Sequence, residues 1–323
     1  MKKLYAIGEA LIDMTPMETG KGISKVDAFA PHVGGAPANV LGAYRKLGGD
    51  ASLITQVGTD PFGDKIIDLL TEYGIEHDKV KRTDDACTSL AFVALKSDGS
   101  REFCFFRKPG ADMLYKPEYI SSDWFSDGYA LHFCSVDLGD FPMRDATEKA
   151  INAALEKGLI ISFDPNLRFN LWSSKSELYE AVRKFLGYAD IVKISDEEIE
   201  FITGKSNAEA GASELFRDYP GLRLIVYTEG RDGQRAFTRG SSARDTYTEK
   251  RAVDTTGAGD AFIGSFLYQL SEKNIGREDL DRLSEETMKE MLRFSGMYAG
   301  KSVRKRGAIP SYPTRAEMDL PEL

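Results

Sequence analysis

The sequence lacks any hydrophobic run long enough to cross a bilayer, and the apolar stretch at its start is too short for a signal sequence. Cysteine is scarce. Cys87, Cys104 and Cys134 are an odd number, with no spacing typical of a metal knuckle or a disulfide framework. These absences argue against a membrane protein and a disulfide-stabilised secreted domain, and they favour a reducing cytoplasm.

The sequence also has few histidines and no net positive charge. His32, His77 and His132 are scattered without a metal-ligand spacing, which favours structural or surface roles. The 42 Lys and Arg residues are outnumbered by 51 Asp and Glu residues, giving a dispersed net charge of −9. Because nucleic acids and anionic membranes are polyanions, this charge argues against both as partners.

Two familiar phosphate-binding motifs are missing. A dinucleotide fingerprint counted from Gly257 would need glycine at position 262, where Phe262 stands. A Walker A loop ending at 204–206 would need glycine at position 199, where Ile199 lies inside a helical pattern. Any phosphate must therefore be bound in another way.

The stretch 253–262 offers such a way. Apolar residues at helical spacing predict a helix that begins at Gly257, so the N–H groups of Gly257, Ala258, Gly259 and Asp260 lie in its unsatisfied first turn. Glycine allows a phosphate to approach the main chain, and the helix dipole attracts it. Asp260 is either an ordinary first-turn acid or a carboxylate that must accept a proton beside the phosphate. The second interpretation is what phosphoryl transfer from a nucleotide to a hydroxyl requires.

Short apolar runs alternate with amphipathic helical patterns along most of the 323 residues. This alternation predicts an α/β fold with a doubly wound, mostly parallel sheet and helices on both faces, whose ligands bind beyond the carboxyl ends of the strands. The predicted strands are Leu4–Gly8, Leu53–Val57, Ala130–Phe133, Leu159–Phe163, Ile191–Ile194 and Leu224–Tyr227. The predicted helices are Ala36–Leu47, Asp64–Tyr73, Arg144–Lys157, Lys175–Leu186, Asp196–Thr203 and Ala208–Tyr219.

Two segments, about 14–33 and 88–107, break the alternation. The first has no helix-length pattern, and the second has two β runs, 90–95 and 102–106, joined by a connection with the hairpin signal Asp98-Gly99. We expect both segments to form a small β-sheet lid that excludes water from the phosphate, with a purely structural hairpin as the alternative.

Polar residues on the sugar side of the predicted site have two interpretations each. Gly34 and Gly35 form a close-approach loop from which Asn39 points its amide, so a polyol could dock there; the alternative is a turn without a ligand. Asp13 closes the first strand segment, where it could accept two sugar hydroxyls or simply form a turn.

On the phosphate side, the segment 164–168 follows a predicted strand, and Arg168 could clamp the phosphoryl group or remain an ordinary surface arginine. Ser195 and Glu198 have the spacing of a capping box, while the functional alternative has Glu198 hold magnesium through water. The segment 228–233 could line the nucleotide or form an ordinary hairpin turn.

Nearly end to end, the chain resembles the ribokinase-like (pfkB) carbohydrate kinase family, and within it the fructokinases. The segments that carry the resemblance are 8–13, 34–39, 107–114, 164–168 with 171–172, 193–198, 254–260 and 307–311. The resemblance implies a single kinase domain over 1–323 that uses ATP, Mg²⁺ and K⁺ to phosphorylate D-fructose. A kinase for 2-keto-3-deoxygluconate, ribose or a ribonucleoside is the alternative, followed by a non-catalytic sensor.

The resemblance also implies roles for individual residues. Asp260 is the general base, and Gly257, Ala258 and Gly259 form the anion hole. Arg168, proposed above from its place after a strand, is expected to assist the transfer. Sugar-binding residues are Asp13, Gly34, Gly35, Asn39 and Arg107, and nucleotide-binding residues are Lys193, Thr228, Gly230 and Gly233 beside the anion-hole glycines. Metal-binding residues are Glu198 for magnesium and, for a monovalent cation and several of them through backbone oxygens, Asp254, Thr256, Ser302, Lys305, Gly307 and Ser311.

One position departs from the family pattern, because Ser195 stands where the magnesium-associated motif commonly opens with asparagine. Glu198 is retained, so the magnesium role rests on that residue. An exposed lid sheet also has edges that could pair between subunits, which leaves a homodimer open.

Overall fold

The computed structural model describes residues 2–18, 20–95, 101–249 and 251–320. Its strands are β1 (Lys3–Ile7), β2 (Leu11–Pro16), β3 (Phe29–Gly34), β4 (Ala51–Gly58), β5 (Val80–Thr83), β6 (Leu90–Leu95), β7 (Arg101–Phe106), β8 (Gly128–Cys134), β9 (Ile160–Asp164), β10 (Ile191–Ser195), β11 (Leu224–Thr228), β12 (Gln234–Phe237) and β13 (Ser242–Asp245). Its helices are α1 (Ala36–Lys46), α2 (Pro61–Glu72), α3 (Pro142–Glu156), α4 (Lys175–Leu186), α5 (Asp196–Thr203), α6 (Ala208–Asp218), α7 (Ala258–Glu272), α8 (Glu285–Ser302) and α9 (Arg315–Met318).

The larger sheet has the strand order β13-β12-β11-β10-β9-β8-β1-β4-β5. Strands from β5 to β11 in this order run parallel, and β12 and β13 add an antiparallel hairpin at one edge. From β1 the chain moves first to β4 on one side and later to β8 on the other. This reversal opens a crevice beyond the carboxyl ends of the strands, where ligands of such sheets bind.

Hydrophobic cores lie on both faces of this sheet, as period-two alternation requires. Leu4 and Ala6 of β1 belong to the core shared with α1, α7 and α8, whereas Tyr5 and Ile7 belong to the core shared with α3 to α6. The predicted doubly wound α/β fold is therefore confirmed.

The smaller sheet has the order β3-β2-β6-β7 and is built from the two segments predicted as a lid. Phe92 of β6 makes edge contacts with Phe29 of β3 and Phe106 of β7, at ring-centroid distances of 5.0 and 5.3 Å. The connection 96–100, with its hairpin signal, lies outside the described residues.

Some boundaries differ from the sequence-based expectation. Helix α2 begins at Pro61 and not at Asp64, because the side chain of Asp60 accepts hydrogen bonds from the N–H groups of Phe62 and Gly63 at 3.0 and 2.9 Å. Helix α7 begins one residue later than predicted, with Gly257 as its N-cap. Among the described helices, none combines the length and apolar character that crossing a membrane requires.

Candidate active site

The amino end of α7 has the geometry of an anion cradle. Gly257 adopts a left-handed conformation with φ of 72°, which favours glycine, and a Cβ there would overlap the hydroxyl of Tyr312. That hydroxyl donates a 2.8 Å hydrogen bond to the carbonyl of Gly257, which braces the turn. The N–H groups of the first turn, which includes Gly259 and Asp260, have no partner within the helix itself and can bind an anion.

Asp260 lies in this first turn with its carboxylate partly buried. Its Oδ2 accepts a 2.9 Å hydrogen bond from Nδ2 of Asn39 on α1. Burial raises the pKa of Asp260 to about 6; Asn39, Lys193 and Arg168 oppose the rise, and Asp164 adds to it. A carboxylate with this pKa is largely ionised at neutral pH and is a stronger base than an exposed aspartate.

Lys193 places a positive charge beside the cradle. Its Nζ lies 3.1 Å from Oδ2 of Asp164, and a Cβ on Gly259 would lie 3.3 Å from the same Nζ. Burial works to lower the pKa of Lys193, but the carboxylates of Asp164, Glu198 and Asp260 together raise it above its ordinary value. The ammonium therefore stays charged at the place where a phosphate would bind.

Asp13 and the loop at Gly34 and Gly35 meet on the other side of Asp260. A Cβ on Gly34 would overlap Oδ2 of Asp13, so only glycine lets the carboxylate pack against this loop. Burial raises the pKa of Asp13 to about 7; Arg168 opposes the rise and Asp260 adds to it. The structure thus brings Asp13, the glycine loop, Arg168 and Asp260 into one electrostatic neighbourhood.

Arg107 is not a free donor in this structure. Its guanidinium is buried, donates from Nε to Asp112 at 2.8 Å and also pairs with Asp137. Glu9 is near enough for its charge to act on Arg107, and its Oε1 accepts a 3.0 Å hydrogen bond from the N–H of Ala36. The role of Arg107 in sugar binding remains a prediction, since the structure assigns its donors to a buried cluster.

Sequence reasoning missed this cluster of Glu9, Arg107, Asp112 and Asp137. A usable signal existed for two members, because Glu9 follows β1 and Asp137 follows β8 at the same edge of the sheet. Burial raises the pKa of Glu9 to about 7, and Arg107 opposes that rise. Three carboxylates share one guanidinium, so the cluster holds more negative than positive charge when all are ionised.

Glu198 forms the capping box predicted with Ser195. Its Oε2 accepts from the N–H of Ser195 at 2.8 Å, and its Oε1 accepts from the N–H of Leu167 at 3.1 Å. Glu198 thereby ties the start of α5 to the segment that carries Arg168. Within the described ranges, no three His, Cys, Asp or Glu side chains form a metal cage. The magnesium role of Glu198 remains a prediction.

The segment before the anion cradle is held against the chain that follows α8. Asp254 accepts from the N–H and hydroxyl of Thr256 at 3.0 and 2.7 Å, and from the N–H of Gly307 at 3.0 Å. The hydroxyls of Ser302 and Ser311 donate to carbonyls of their own segments. Asp254, Thr256 and Gly307 are thus joined directly. The cation role predicted for them and for Ser302, Lys305 and Ser311 remains untested.

Thr228, Gly230 and Gly233 surround the turn between β11 and β12. Gly230 and Gly233 have φ values of 54° and 109°, and a Cβ on Gly233 would overlap the carbonyl of Asp245 in β13. The hairpin interpretation of this segment is therefore confirmed for the backbone. Its predicted contact with nucleotide remains a prediction.

Comparison with known proteins agrees with this geometry. Residues 1–315 match the model of the pfkB family carbohydrate kinases. The chain is 38% identical to the probable fructokinase-2 of Arabidopsis thaliana over 97% of its length and 94% of the relative. It is 37% identical to fructokinase-2 of Solanum lycopersicum, with the same coverage of 97% and 94%.

Two solved structures are similar over nearly the whole chain. The ATP-bound fructokinase of Xylella fastidiosa has a TM-score of 0.87 and 32% identity, covering 98% of this chain and 96% of that one. The fructokinase of Vibrio cholerae bound to fructose, ADP and calcium has a TM-score of 0.85 and 31% identity, covering 98% of each chain. The resemblance recognised in the sequence is confirmed, and the chain belongs to the pfkB family of carbohydrate kinases.

Proposed function

We propose that this protein is an ATP-dependent fructokinase that converts ATP and D-fructose into ADP and fructose phosphate. The observation that carries the proposal is the position of Asp260, a carboxylate with a raised pKa at the glycine-opened end of α7. The similar fructokinases support the choice of sugar, and the Vibrio cholerae structure holds fructose and ADP.

In the proposed mechanism, Asp260 accepts the proton of the reacting sugar hydroxyl as the γ-phosphoryl group transfers in line. The N–H groups and dipole at the start of α7 stabilise the charge that develops on the phosphoryl oxygens, and Lys193 and Arg168 add positive charge. Bound magnesium would neutralise charge on the nucleotide phosphates, and Glu198 would hold it through water.

Substrates would bind on the two sides of this centre. Asp13, Gly34, Gly35, Asn39 and Arg107 are proposed to hold the sugar. Thr228, Gly230 and Gly233 are proposed to face the nucleotide, with Lys193 and the anion cradle on its phosphates. Asp13 and Asn39 both lie close to Asp260, so a polyol at this loop would bring a hydroxyl to the base.

We also propose a monovalent cation, K⁺, behind the anion cradle at Asp254, Thr256, Ser302, Lys305, Gly307 and Ser311. The hydrogen bonds from Thr256 and Gly307 to Asp254 support this site, because they bring two segments of the chain together at one carboxylate behind the anion cradle. A cation bound there would brace the loop and offset phosphate charge. Activity in K⁺ should exceed activity in a bulky organic cation at equal ionic strength, and equal rates would contradict the cation site.

We propose that the protein is cytoplasmic and that two copies of it form a homodimer through the lid. Strands β3 and β7 are the edges of the lid sheet, and Phe106 of β7 is 62% exposed. Exposed edge strands can pair with a second copy of the chain. In sedimentation experiments the wild type should be a dimer, and Phe106→Ser should dissociate at higher protein concentration than the wild type. A monomeric wild type would exclude the proposal.

The test of the sugar assignment is an ATP-coupled comparison of kcat/KM for fructose, ribose, adenosine and 2-keto-3-deoxygluconate. Fructose should lead, because a nucleoside would leave polar groups of the pocket unpaired, a penalty that can reach about 10⁴-fold. If any of the other three leads, the fructokinase assignment fails and the kinase assignment survives.

A further inference from the structure

Asn39 contacts the proposed base directly. It lies in the first turn of α1 with only 4% of its surface exposed, and its Nδ2 donates to Oδ2 of Asp260 at 2.9 Å. We infer that Asn39 is a positioning residue for Asp260, whose amide fixes the orientation of the carboxylate and favours its ionised form. The inference rests on the proposed function, since it assigns a role within that same site.

The two helices that carry the pair are held close together. A Cβ on Gly264 of α7 would lie only 2.6 Å from the carbonyl oxygen of Val40 on α1, so the glycine permits direct backbone contact. The start of α1 is fixed in turn, because the N–H of Ala36 donates to Glu9. Because the two backbones are in direct contact, the relative positions of Asn39 and Asp260 are restricted. Such a restriction is what positioning a carboxylate requires.

The orientation of the amide follows from the chemistry of its partner. An ionised carboxylate only accepts hydrogen bonds, so the Asn39 amide must turn its NH₂ toward Asp260. With Oδ2 so engaged, no hydrogen bond to Oδ1 of Asp260 is formed within the described parts of the chain. Oδ1 is therefore the oxygen available to accept the proton of the sugar hydroxyl.

Because several charged groups surround Asp260, this hydrogen bond matters for its protonation state. The titratable groups that act on Asp260, or on which it acts, are Asp13, Asp164, Arg168, Lys193, Cys134 and Tyr312. Burial and Asp164 raise the pKa of Asp260, and the hydrogen bond from Asn39 is the strongest of the interactions that lower it. Without that donor, the pKa of Asp260 should rise toward or above neutrality, and the base would be largely protonated.

Two substitutions of similar size separate the donor from the shape. Asn39→Leu removes the donor, and Asn39→Asp replaces it with a second carboxylate. We expect the acidic limb of kcat/KM for fructose to move to higher pH by about 1 to 2 pH units in Asn39→Leu, and further in Asn39→Asp. Above the shifted limb, kcat/KM should reach a plateau that is lowered only by loss of the sugar contact proposed for Asn39, and the KM for ATP should stay unchanged.

Asn207→Ala provides a matched control. Asn207 accepts from the N–H of Ala210 at 2.9 Å as the N-cap of α6, so its loss should lower Tm without moving the acidic limb. A ¹³C NMR titration of the Asp260 carboxyl in substrate-free protein measures the same pKa shift directly. This second readout also serves a variant that folds but is too slow to assay.

Two results would overturn the inference. An unchanged pKa of Asp260 with a raised fructose KM would mean that Asn39 acts on the sugar alone, and an equal loss of rate at every pH would mean a merely structural role. The NMR titration needs no substrate, so it tests Asn39 even if fructose proves to be the wrong sugar. Wild-type turnover of fructose tests the proposed function separately.

Discussion

Lys193 is predicted to have two separable effects, one on stability and one on phosphoryl transfer. Its ammonium lies 3.1 Å from Asp164 and next to the position that a Cβ on Gly259 would occupy. Asp164 is 1% exposed and Lys193 8% exposed, so the pair is screened little by water. Lys193→Met keeps the side-chain stem and removes the charge.

The stability effect follows from the charge that remains. Removing one partner of a buried ion pair costs about 3 to 5 kcal/mol, because the other charge stays buried without compensation. In a chain of this size about 2 °C of Tm corresponds to 1 kcal/mol, so Lys193→Met should lower Tm by about 6 to 10 °C. Lys193→Met with Asp164→Asn should restore much of that loss, since asparagine can still accept the 3.1 Å hydrogen bond from the N–H of Asn166.

The catalytic effect should not be restored. Losing one preorganised group that stabilises transition-state charge costs about 10²- to 10³-fold in kcat, and the double variant still lacks the ammonium. Thermal denaturation and kcat for ATP turnover would be measured for both single variants and the double variant. Asp164→Asn alone shows what the carboxylate contributes while Lys193 is present. Near wild-type kcat in the double variant would reduce Lys193 to a partner of Asp164, and an unchanged Tm in Lys193→Met would refute the stability argument.

Three further predictions concern the cradle and the buried cluster. Asp260→Asn should lower turnover by about 10²- to 10⁴-fold with ATP affinity nearly unchanged, and near-normal turnover would remove Asp260 from the mechanism. Gly259→Val should abolish activity while Tm stays close to that of the wild type, because its side chain enters the phosphate path; an active variant would mean that phosphate does not touch this loop. Because the pKa of Glu9 is raised from 4.5 to about 7 in the folded protein, wild-type stability should fall as pH rises through this interval, and less so in Glu9→Gln; equal Tm slopes would contradict this.

Most of the fold could be predicted because its signals are local. Buried parallel strands such as Leu224–Thr228 are largely apolar runs, and the helices between them show a clear period. The strand β5 (Val80–Thr83) was missed, since its sequence Val-Lys-Arg-Thr has one apolar residue and lies at the sheet edge. The short antiparallel strands β12 and β13 were also not predicted, because four residues are too few to show a period-two pattern.

The site was predictable to the extent that its residues follow strands or open helices. Asp13, Gly34 and Asp260 could each be proposed from such a position, although the placement of Asp13 at the end of the first strand was wrong, because it lies inside β2 of the smaller sheet. The hydrogen bond between Asn39 and Asp260 joins residues 221 apart in sequence. Arg107 shows the limit most clearly. The resemblance implied that Arg107 binds sugar, and its position just after a predicted strand gave no sign of its buried partner Asp137, which is 30 residues away.

The position of Arg107 changes what a substitution there would report. Arg107 directly follows β7 of the smaller sheet, while Glu9 and Asp137 follow β1 and β8 of the main sheet, so the two sheets meet in one buried cluster. Glu9 also accepts the N–H of Ala36 at the start of α1, the helix that carries Asn39 to the base. Removing Arg107 would leave these carboxylates buried without their cation. A rise in fructose KM could then come from a displaced lid or a displaced α1 as readily as from a lost sugar contact. The pKa of Asp260 distinguishes a displaced α1 from a lost sugar contact, because the lost contact leaves this pKa unchanged in substrate-free protein and the displaced helix does not.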